Sequence, residues 1–203
     1  MKAVYIVIIA KAPLAGYAKT RLIPALGADG AARLARKMLF HTVQTAIAAN
    51  IGSVELCTSP APGDAVWKTF ELPTKLRWST QGEGDLGERM ARAAARTLQE
   101  DKAVLLIGTD CPAIDTHTLR EVALALRTHD ACMIPTFDGG YALLALNQYD
   151  ASLFTDVPWS TDTVAQITLS RIQTLNWTCK LLPTLHDIDE AADLAFVPKD
   201  WLK

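Results

Sequence analysis

An unbroken apolar run near the start of the chain ends in a loop of small residues and positive charge. Residues 3–10 are all apolar, and the next twelve residues, 11–22, read K-A-P-L-A-G-Y-A-K-T-R-L. This pattern is typical of a buried parallel strand whose carboxyl end presents a loop to a ligand. We therefore expect an open α/β sheet, with Lys11, Lys19 and Arg21 as candidate phosphate-binding residues.

Two commoner phosphate motifs do not fit this loop. A Walker A motif needs glycine immediately before its lysine and again five residues earlier, where this chain has Ala18 and Pro13. A dinucleotide fingerprint needs three spaced glycines, and only Gly16 is present, so bound NAD is not expected. A solvated surface loop is the alternative interpretation, but the position directly after the most apolar strand favours phosphate binding.

Composition limits the class of protein. With 203 residues, of which 50% are hydrophobic, the chain is long enough to bury one sizeable core, and we expect residues 1–203 to form a single domain. A net charge of −2 without a basic stripe argues against a nucleic-acid partner. No later apolar run approaches the ~20 residues that span a membrane. The four cysteines form no C-x-x-C pair, which predicts free thiols and a cytoplasmic location.

Strand and helix signals alternate, which predicts a three-layer α/β/α fold with a mainly parallel sheet. We expect strands at 3–10, 53–58, 75–79, 103–107, 131–135, 141–146 and 178–182. Helices are expected over 30–49, capped by Asp29, and then near 67, from 86, around 119–126, over 162–175 and from 190. The link between 135 and 141 is too short for a helical crossover. The sheet should therefore be mixed, with an antiparallel strand after the fourth parallel one.

Asp110 follows the strand at 103–107 directly, within the sequence G-T-D-C-P. It should project into the crevice that the Lys19 loop also borders, which suggests a divalent metal between them. Mg²⁺ usually takes only one or two protein carboxylates, so a single Asp is enough. The alternative is that Asp110 caps a turn, as we expect Asp115 to cap the next helix.

A second set of candidates lies in glycine-bearing turns. The segment 81–89 reads Q-G-E-G-D-L-G-E-R, and its glycines suit either a nucleobase pocket or a tight turn. Asp138 lies in the sequence D-G-G-Y, where a hairpin turn and a contact from Asp138 or Tyr141 to an acceptor are equally favoured. The sequence W-S-T-D at 159–162 indicates mainly a helix cap.

Near the C-terminus the sequence H-D-I-D places Asp187 and Asp189 on one side of an extended segment. Asp189 is expected to cap the last helix, whereas Asp187 is a candidate metal ligand.

Taken together, these motifs resemble those of a known family. The ordered set K-A-P-x-x-G-x-A-K-T-R-L, Q-G-x-G-D-L-G-E-R-M, G-T-D-C-P, D-G-G-Y, W-S-T-D-T and D-I-D-x-x-x-D-L resembles the bacterial DUF2064 proteins of the nucleotide-diphospho-sugar transferase superfamily. The resemblance covers nearly the whole chain. The Lys19 loop is more distantly similar to that of 2-phospho-lactate and molybdenum-cofactor guanylyltransferases.

The resemblance implies a GT-A, Rossmann-like fold that binds a nucleotide, with Mg²⁺ or Mn²⁺ held by Asp110 and by Asp187 or Asp189. It also implies that the loop around Gly16 binds the phosphates and that 81–87 approaches the base and ribose. The nucleotide-binding residues implied in this way are Lys11, Gly16, Lys19, Arg21, Gln81, Gly82, Gly84, Leu86 and Gly87.

We expect metal-dependent nucleotidyl transfer, in which a phosphorylated small molecule attacks an NTP and pyrophosphate leaves. Lys19 and Asp110 would serve that chemistry. Glycosyl transfer from a nucleotide sugar is the alternative, with Asp138 as base toward an acceptor hydroxyl. GT-A glycosyltransferases commonly carry D-x-D where this chain has Asp110-Cys111-Pro112. That departure also leaves open a nucleotide-binding regulatory module without turnover. The sequence does not specify an oligomeric state.

Overall fold

The core of the molecule is a seven-stranded mixed sheet. The computed structural model describes residues 2–99 and 101–202, and its strands are ordered β3-β2-β1-β4-β6-β5-β7. They are β1 (Ala3–Lys11), β2 (Gly52–Ser59), β3 (Arg77–Thr80), β4 (Lys102–Ile107), β5 (Ala131–Pro135), β6 (Tyr141–Leu146) and β7 (Cys179–Leu181). β6 runs antiparallel to both β4 and β5, whereas the other paired strands are parallel. The predicted mixed sheet with a reversed strand after the fourth parallel strand is confirmed.

Helices cover both faces of this sheet. The α-helices are α1 (Ile23–Ala49), α2 (Leu86–Gln99), α3 (Thr116–Ala125) and α4 (Val164–Thr174). Short 3₁₀ helices lie at Thr20–Leu22, Ala65–Thr69, Ala151–Leu153, Ala191–Phe196 and Lys199–Leu202. No helix in the described part of the chain is both long enough and apolar enough to cross a membrane.

Alternation along the strands fills two separate cores. Ile6 and Ile8 of β1 pack with α1 and α3 on one face, and Val7 packs with α2 and α4 on the other. All of these β1 side chains are fully buried, as expected for a central strand covered on both sides. The three-layer α/β/α architecture is therefore confirmed.

Three helix starts differ from the sequence-based expectation. α1 begins at Ile23 rather than at residue 30, with Pro24 in its first turn and an interruption at Gly27, where φ is 70° and ψ is 165°. The predicted cap at Asp29 is wrong, because Asp29 lies inside the helix. The interruption hides the first turn from a periodicity argument, because the backbone at Gly27 is not helical and the regular helical spacing is broken there.

The other two differences concern the C-terminal half. The 3₁₀ helix at Ala191–Phe196 begins after Glu190, which forms a reciprocal capping box with Asp193. The predicted cap at Asp189 is therefore wrong by one residue. The sequence at 159–162 forms a turn, and α4 starts only at Val164, without a side-chain cap. Asp115, in contrast, caps α3 as predicted, and accepts a hydrogen bond from the Thr118 backbone N–H at 2.8 Å.

Candidate functional site

A cavity of about 540 Å³ lies at the carboxyl ends of β1 and β4. Ligand sites in open α/β sheets occupy this edge, and the volume is that of a small-molecule site. Because β6 is reversed, its first residues lie at the same edge as the last residues of β1 and β4. The loop after β1 therefore borders one end of the cavity, and the β5–β6 hairpin borders the other.

The loop after β1 brings its three cations to the cavity wall. Lys11 is the last residue of β1, and its Nζ lies 4.1 Å from the centroid of the Tyr17 ring. Lys19 adopts a left-handed conformation with φ of 51°, which starts the short helix that carries Arg21. Gly16 also has a positive φ, 73°, with open space where a Cβ would stand. Gly16 thus provides the positive φ that the turn in this loop requires.

Lys19 connects this loop to two carboxylates from distant parts of the chain. Its Nζ lies 2.9 Å from Asp110 Oδ1 and 3.4 Å from Asp189 Oδ1, and only 7% of its side chain is exposed. Burial by itself lowers the pKa of Lys19, but the charges of Asp110 and Asp189 outweigh that effect and raise the pKa above its ordinary value. Lys19 is therefore a charged, buried ammonium group and not a solvated surface cation.

Arg21 and Asp189 form the outer part of the same network. Arg21 Nη1 lies 2.6 Å from Asp189 Oδ2, and 59% of the Arg21 side chain is exposed. Both carboxylate oxygens of Asp189 are therefore engaged by cations. The network fixes the last segment of the chain against the first loop.

Asp110 and Asp187, two of the carboxylates predicted to hold a divalent cation, lie in segments that contact each other. Both line the cavity, and the backbone N–H of Ile188 donates to the carbonyl oxygen of Asp110 at 2.8 Å, which joins the two segments. The Asp110 side chain is 48% exposed. Burial, and after it the charge of Asp138, raises the pKa of Asp187. Within residues 2–99 and 101–202 no group of three or more His, Cys, Asp or Glu side chains could hold a metal ion. Two carboxylates still fit Mg²⁺ or Mn²⁺, whose other ligands are water and phosphate oxygens.

Gln81 anchors the glycine-bearing segment to the sheet. It is buried, and its Nε2 donates to the carbonyl oxygens of Ala10 at 2.9 Å and Cys57 at 3.1 Å, at the ends of β1 and β2. Arg89 donates to Gln81 Oε1 at 3.1 Å and to the carbonyl oxygen of Gly84 at 2.9 Å. Gln81 and Leu86 line the cavity, and Arg89 supports the loop behind them.

Contacts within the fold account for each glycine of this segment. Gly82 and Gly84 have φ of 73° and 100°, a conformation that other residues rarely adopt. Gly87 packs directly on the indole nitrogen of Trp159, and a Cβ there would also lie 2.6 Å from the carbonyl oxygen of Phe154. The contribution of 82–87 to nucleotide binding stays a prediction.

Asp138 is held rigidly at the tip of the β5–β6 hairpin. Its Oδ1 accepts hydrogen bonds from Thr136 Oγ1 at 2.5 Å and from the Gly140 backbone N–H at 3.0 Å. Gly139 packs against the backbone of Asp162, and its carbonyl oxygen accepts a hydrogen bond from the Ala165 N–H of α4 at 2.9 Å. Asp138 therefore lies in the hairpin turn and also lines the cavity, and its contact with an acceptor stays a prediction.

The segment before α4 supplies cavity residues that the sequence reasoning missed. Trp159, Ser160 and Thr161 line the end of the cavity that Asp138 borders, and the Tyr141 and Trp159 rings meet edge to face at 6.4 Å. We interpreted this segment as a helix cap because hydroxyl and acidic residues precede a helix. The available signal was the Trp, which a cap does not require.

Cys111 also lines the cavity, but its chemistry is limited. Burial raises its pKa to about 11, and the thiol donates to the carbonyl oxygen of His186 at 3.3 Å. A protonated thiol is a poor nucleophile, so Cys111 serves packing at neutral pH. All four cysteines are free, as predicted.

Solved structures define the class of fold to which this chain belongs. A candidate nucleotide-diphospho-sugar transferase from Desulfovibrio desulfuricans is 28% identical, with a TM-score of 0.88 over 98% of this chain and 88% of that one. A nucleotidyl transferase from Methanothermobacter gives a TM-score of 0.62 at 16% identity, over 98% of each chain. A manganese-complexed protein from Mycobacterium tuberculosis gives 0.60 at 12% identity, over 97% of each. The chain thus has the Rossmann-like fold of nucleotide-diphospho-sugar transferases.

The particular family follows from the sequence. The model of DUF2064, described as an uncharacterized protein conserved in bacteria, matches residues 42–161. That match spans more than half of the chain, so this protein belongs to the DUF2064 family, in agreement with the resemblance of its motifs. A comparison with curated proteins gave no match.

Proposed function

We propose that this protein is a metal-dependent transferase that binds a nucleoside triphosphate and transfers its nucleotidyl group to a small-molecule acceptor, with release of pyrophosphate. One observation carries the proposal: Lys19 meets the carboxylates of Asp110 and Asp189, and Arg21 meets Asp189, at the carboxyl edge of the sheet in a cavity of ligand size. The nucleotidyl transferase and the manganese-complexed protein of the same fold support it.

The charges of the cavity support metal dependence. Its wall carries three cationic side chains and four carboxylates: Lys11, Lys19, Arg21, Asp110, Asp138, Asp187 and Asp189. A triphosphate would add several negative charges to a wall that already has one carboxylate more than it has cations. A divalent ion at Asp110 and Asp187 would offset that excess and supply charge neutralisation at the phosphates.

The residues of the loop after β1 would bind and orient the phosphates. Phosphoryl chemistry depends on positioning and on charge stabilisation more than on a protein nucleophile. Lys19 would exchange its contacts with Asp110 and Asp189 for phosphate oxygens, and would stabilise the charge that develops on the departing pyrophosphate. Lys11 and Arg21 would hold the outer phosphates, and Gln81 with Leu86 would border the nucleoside.

Glycosyl transfer from a nucleotide sugar is the second candidate function. The hairpin end of the cavity favours it, because aromatic rings, hydroxyl groups and the rigid Asp138 carboxylate suit a sugar acceptor. The same phosphate loop would then hold the departing nucleoside diphosphate.

Thermal stability measured with a panel of nucleotides tests the proposal. We expect NTPs to stabilise the protein with Mg²⁺ or Mn²⁺, by about 2.7 kcal/mol at 100 times the Kd, and to do so far less with a chelator present. Asp110→Asn should abolish the metal-dependent part without unfolding the protein. Asp150→Asn is the matched control, since Asp150 caps a 3₁₀ helix and is not part of the cavity wall.

Three outcomes distinguish the candidates. Stronger stabilisation by nucleotide sugars than by NTPs would favour glycosyl transfer. Binding without any product by mass spectrometry would favour a regulatory module. Stabilisation that is the same in Asp110→Asn, or with a chelator, would contradict the metal role.

A further inference from the structure

Charge is distributed unevenly between the two ends of the cavity. Among the described residues on its wall, every Lys and Arg belongs to the end of β1 or to the segment that follows it. The opposite end is lined by hydroxyl groups, aromatic rings and a carboxylate. These residues are Thr136, Asp138, Tyr141, Trp159, Ser160 and Thr161.

The cations of the first end are already engaged within the site. Lys19 contacts Asp110 and Asp189, Arg21 contacts Asp189, and Lys11 lies over the Tyr17 ring. A nucleotide would take up these groups, because they are the cations that line the nucleotide end. A phosphorylated acceptor at the opposite end would instead face the carboxylate of Asp138, whose like charge opposes it.

Asp138 has the geometry of a hydrogen-bond acceptor prepared for a ligand. Its Oδ1 receives the Thr136 hydroxyl and the Gly140 N–H, which fix the carboxylate plane. Within residues 2–99 and 101–202, Oδ2 makes no hydrogen bond. Packing of Gly139 on the Asp162 backbone prevents the tip from shifting. A carboxylate fixed through one oxygen leaves the other oxygen oriented toward a hydroxyl donor.

We propose that the acceptor is an uncharged compound with several hydroxyl groups, of the sugar or polyol class, and not the phosphorylated compound that the sequence analysis favoured. This inference rests on the proposed nucleotidyl transfer. The acceptor hydroxyl oxygen attacks the α-phosphorus and forms the new P–O bond. The bond from the α-phosphorus to pyrophosphate breaks, and the hydroxyl proton passes to Asp138 Oδ2. Asp138 thus acts as the general base.

Matched pairs of acceptors test this inference on the protein saturated with its preferred NTP and Mn²⁺. The probes are glucose, myo-inositol and glycerol, each compared with glucose 6-phosphate, myo-inositol 1-phosphate and glycerol 3-phosphate. Thermal stability reports binding, and pyrophosphate release reports transfer. We expect at least one uncharged probe to bind and to release pyrophosphate, with its phosphorylated partner at least tenfold weaker.

Asp138→Asn gives opposite expectations for the two acceptor classes. The amide keeps the Oδ1 contacts, so the melting temperature should hold. Pyrophosphate release with an uncharged acceptor should fall about a hundredfold or more, because the base is lost. Binding of phosphorylated probes should become tighter, because a repelling charge is gone. Asp64→Asn is the control: Asp64 Oδ1 likewise accepts a backbone N–H two residues on, at 2.9 Å, outside the cavity wall.

Failure of this inference is distinguishable from failure of the proposed function. If no NTP stabilises the protein, nucleotidyl transfer itself is wrong. If NTPs bind but only phosphorylated probes are accepted, or no uncharged probe binds, the proposed acceptor class is overturned and nucleotide binding stands. Tighter binding of uncharged probes by Asp138→Asn would also overturn it.

Discussion

Lys19 is the residue on which most of the site's geometry depends. Its ammonium group joins the first loop, the end of β4 and the segment before the last helix through Asp110 and Asp189. A buried cation with two carboxylate partners keeps its charge, because those partners raise its pKa. Removal of Lys19 therefore has two consequences, one for ligand binding and one for the carboxylates left behind.

Lys19→Ala should weaken triphosphate binding about tenfold to a hundredfold, since a charged hydrogen bond contributes roughly 1.5–3 kcal/mol. Binding of the corresponding nucleoside should change much less, because it lacks the phosphates that Lys19 would contact. Calorimetric titration of both ligands measures the difference, with the exposed Lys68→Ala as the control. Equal losses for nucleoside and triphosphate would show that the variant damaged the fold instead.

At this scale the sequence identified residues that follow strands directly. Lys11, Lys19 and Asp110 come at or just after the ends of β1 and β4, so their place at the ligand edge follows from the order of elements. Trp159 and Thr161 reach the cavity only through tertiary packing, and the one local signal of that position is the Trp, which a helix cap does not require. The contact between Gly87 and Trp159 joins residues far apart in sequence, so the packing role of this glycine could not be predicted from the local pattern.

Two glycines allow the elements around the cavity to pack closely against each other. The first turn of α2 packs on the turn before α4 through Gly87 and Trp159, and the β5–β6 hairpin packs on the same turn through Gly139. Strand positions were predictable to within about two residues, since the central strands β1 and β4 are continuous apolar runs and the others lie between turn residues. The starts of α1 and α4 could be predicted less closely, because Gly27 interrupts α1 and the turn before α4 contains residues typical of a cap.

Gly87→Ala tests the packing between α2 and the turn before α4. Alanine favours a helix by up to about 1 kcal/mol over glycine, but overpacking against Trp159 and Phe154 costs about 1–3 kcal/mol. We expect a net loss of unfolding free energy in urea. The loss should shrink in a Trp159→Phe background, because the smaller ring relieves the contact. Gly63→Ala, where a Cβ has no neighbour within 4 Å, is the control and should be neutral.

The cap of α3 gives a pH-dependent prediction. Hydrogen bonds from the Thr118 backbone and hydroxyl lower the pKa of Asp115 below its ordinary value of 3.8. A lowered folded-state pKa contributes stability above the unfolded pKa, and that stability is lost as pH falls through the folded pKa. Asp115→Ala should therefore cost about 1 kcal/mol at neutral pH. The difference from wild type in urea unfolding should narrow below pH 3.8; a constant difference would contradict the charge contribution.

On the scale of the whole molecule, the sheet separates the site into two halves. The ends of β1 and β4 border the proposed nucleotide end, and the β5–β6 pair borders the proposed acceptor end. The architecture was predictable because each connection is either a helical crossover or too short for one. The charge distribution of the cavity could not be predicted, because it depends on which side chains of several distant segments face inward.

Hydrogen exchange should show these halves separately. An NTP with Mn²⁺ should slow amide exchange in residues 11–22 and 108–111, where the phosphates and metal are expected, and leave β7 unchanged. Slower exchange at 136–141 should require an added acceptor. Mass spectrometry of the peptides from these regions measures each case; nucleotide protection that spares 11–22 would contradict the assignment of the phosphate loop.

The reversed direction of β6 has a consequence for how such proteins diversify. A crossover between parallel strands carries a whole helix, so changing its length disturbs a layer of the fold. The proposed acceptor end is instead bordered by a five-residue hairpin tip, 136–140, which connects the adjacent strands β5 and β6. That tip can be exchanged without lengthening a crossover helix, provided that the glycine at 139, which packs on the turn before α4, is kept. We therefore expect that grafting the tip between relatives with this topology would change the proposed acceptor choice and leave the proposed nucleotide loop in place.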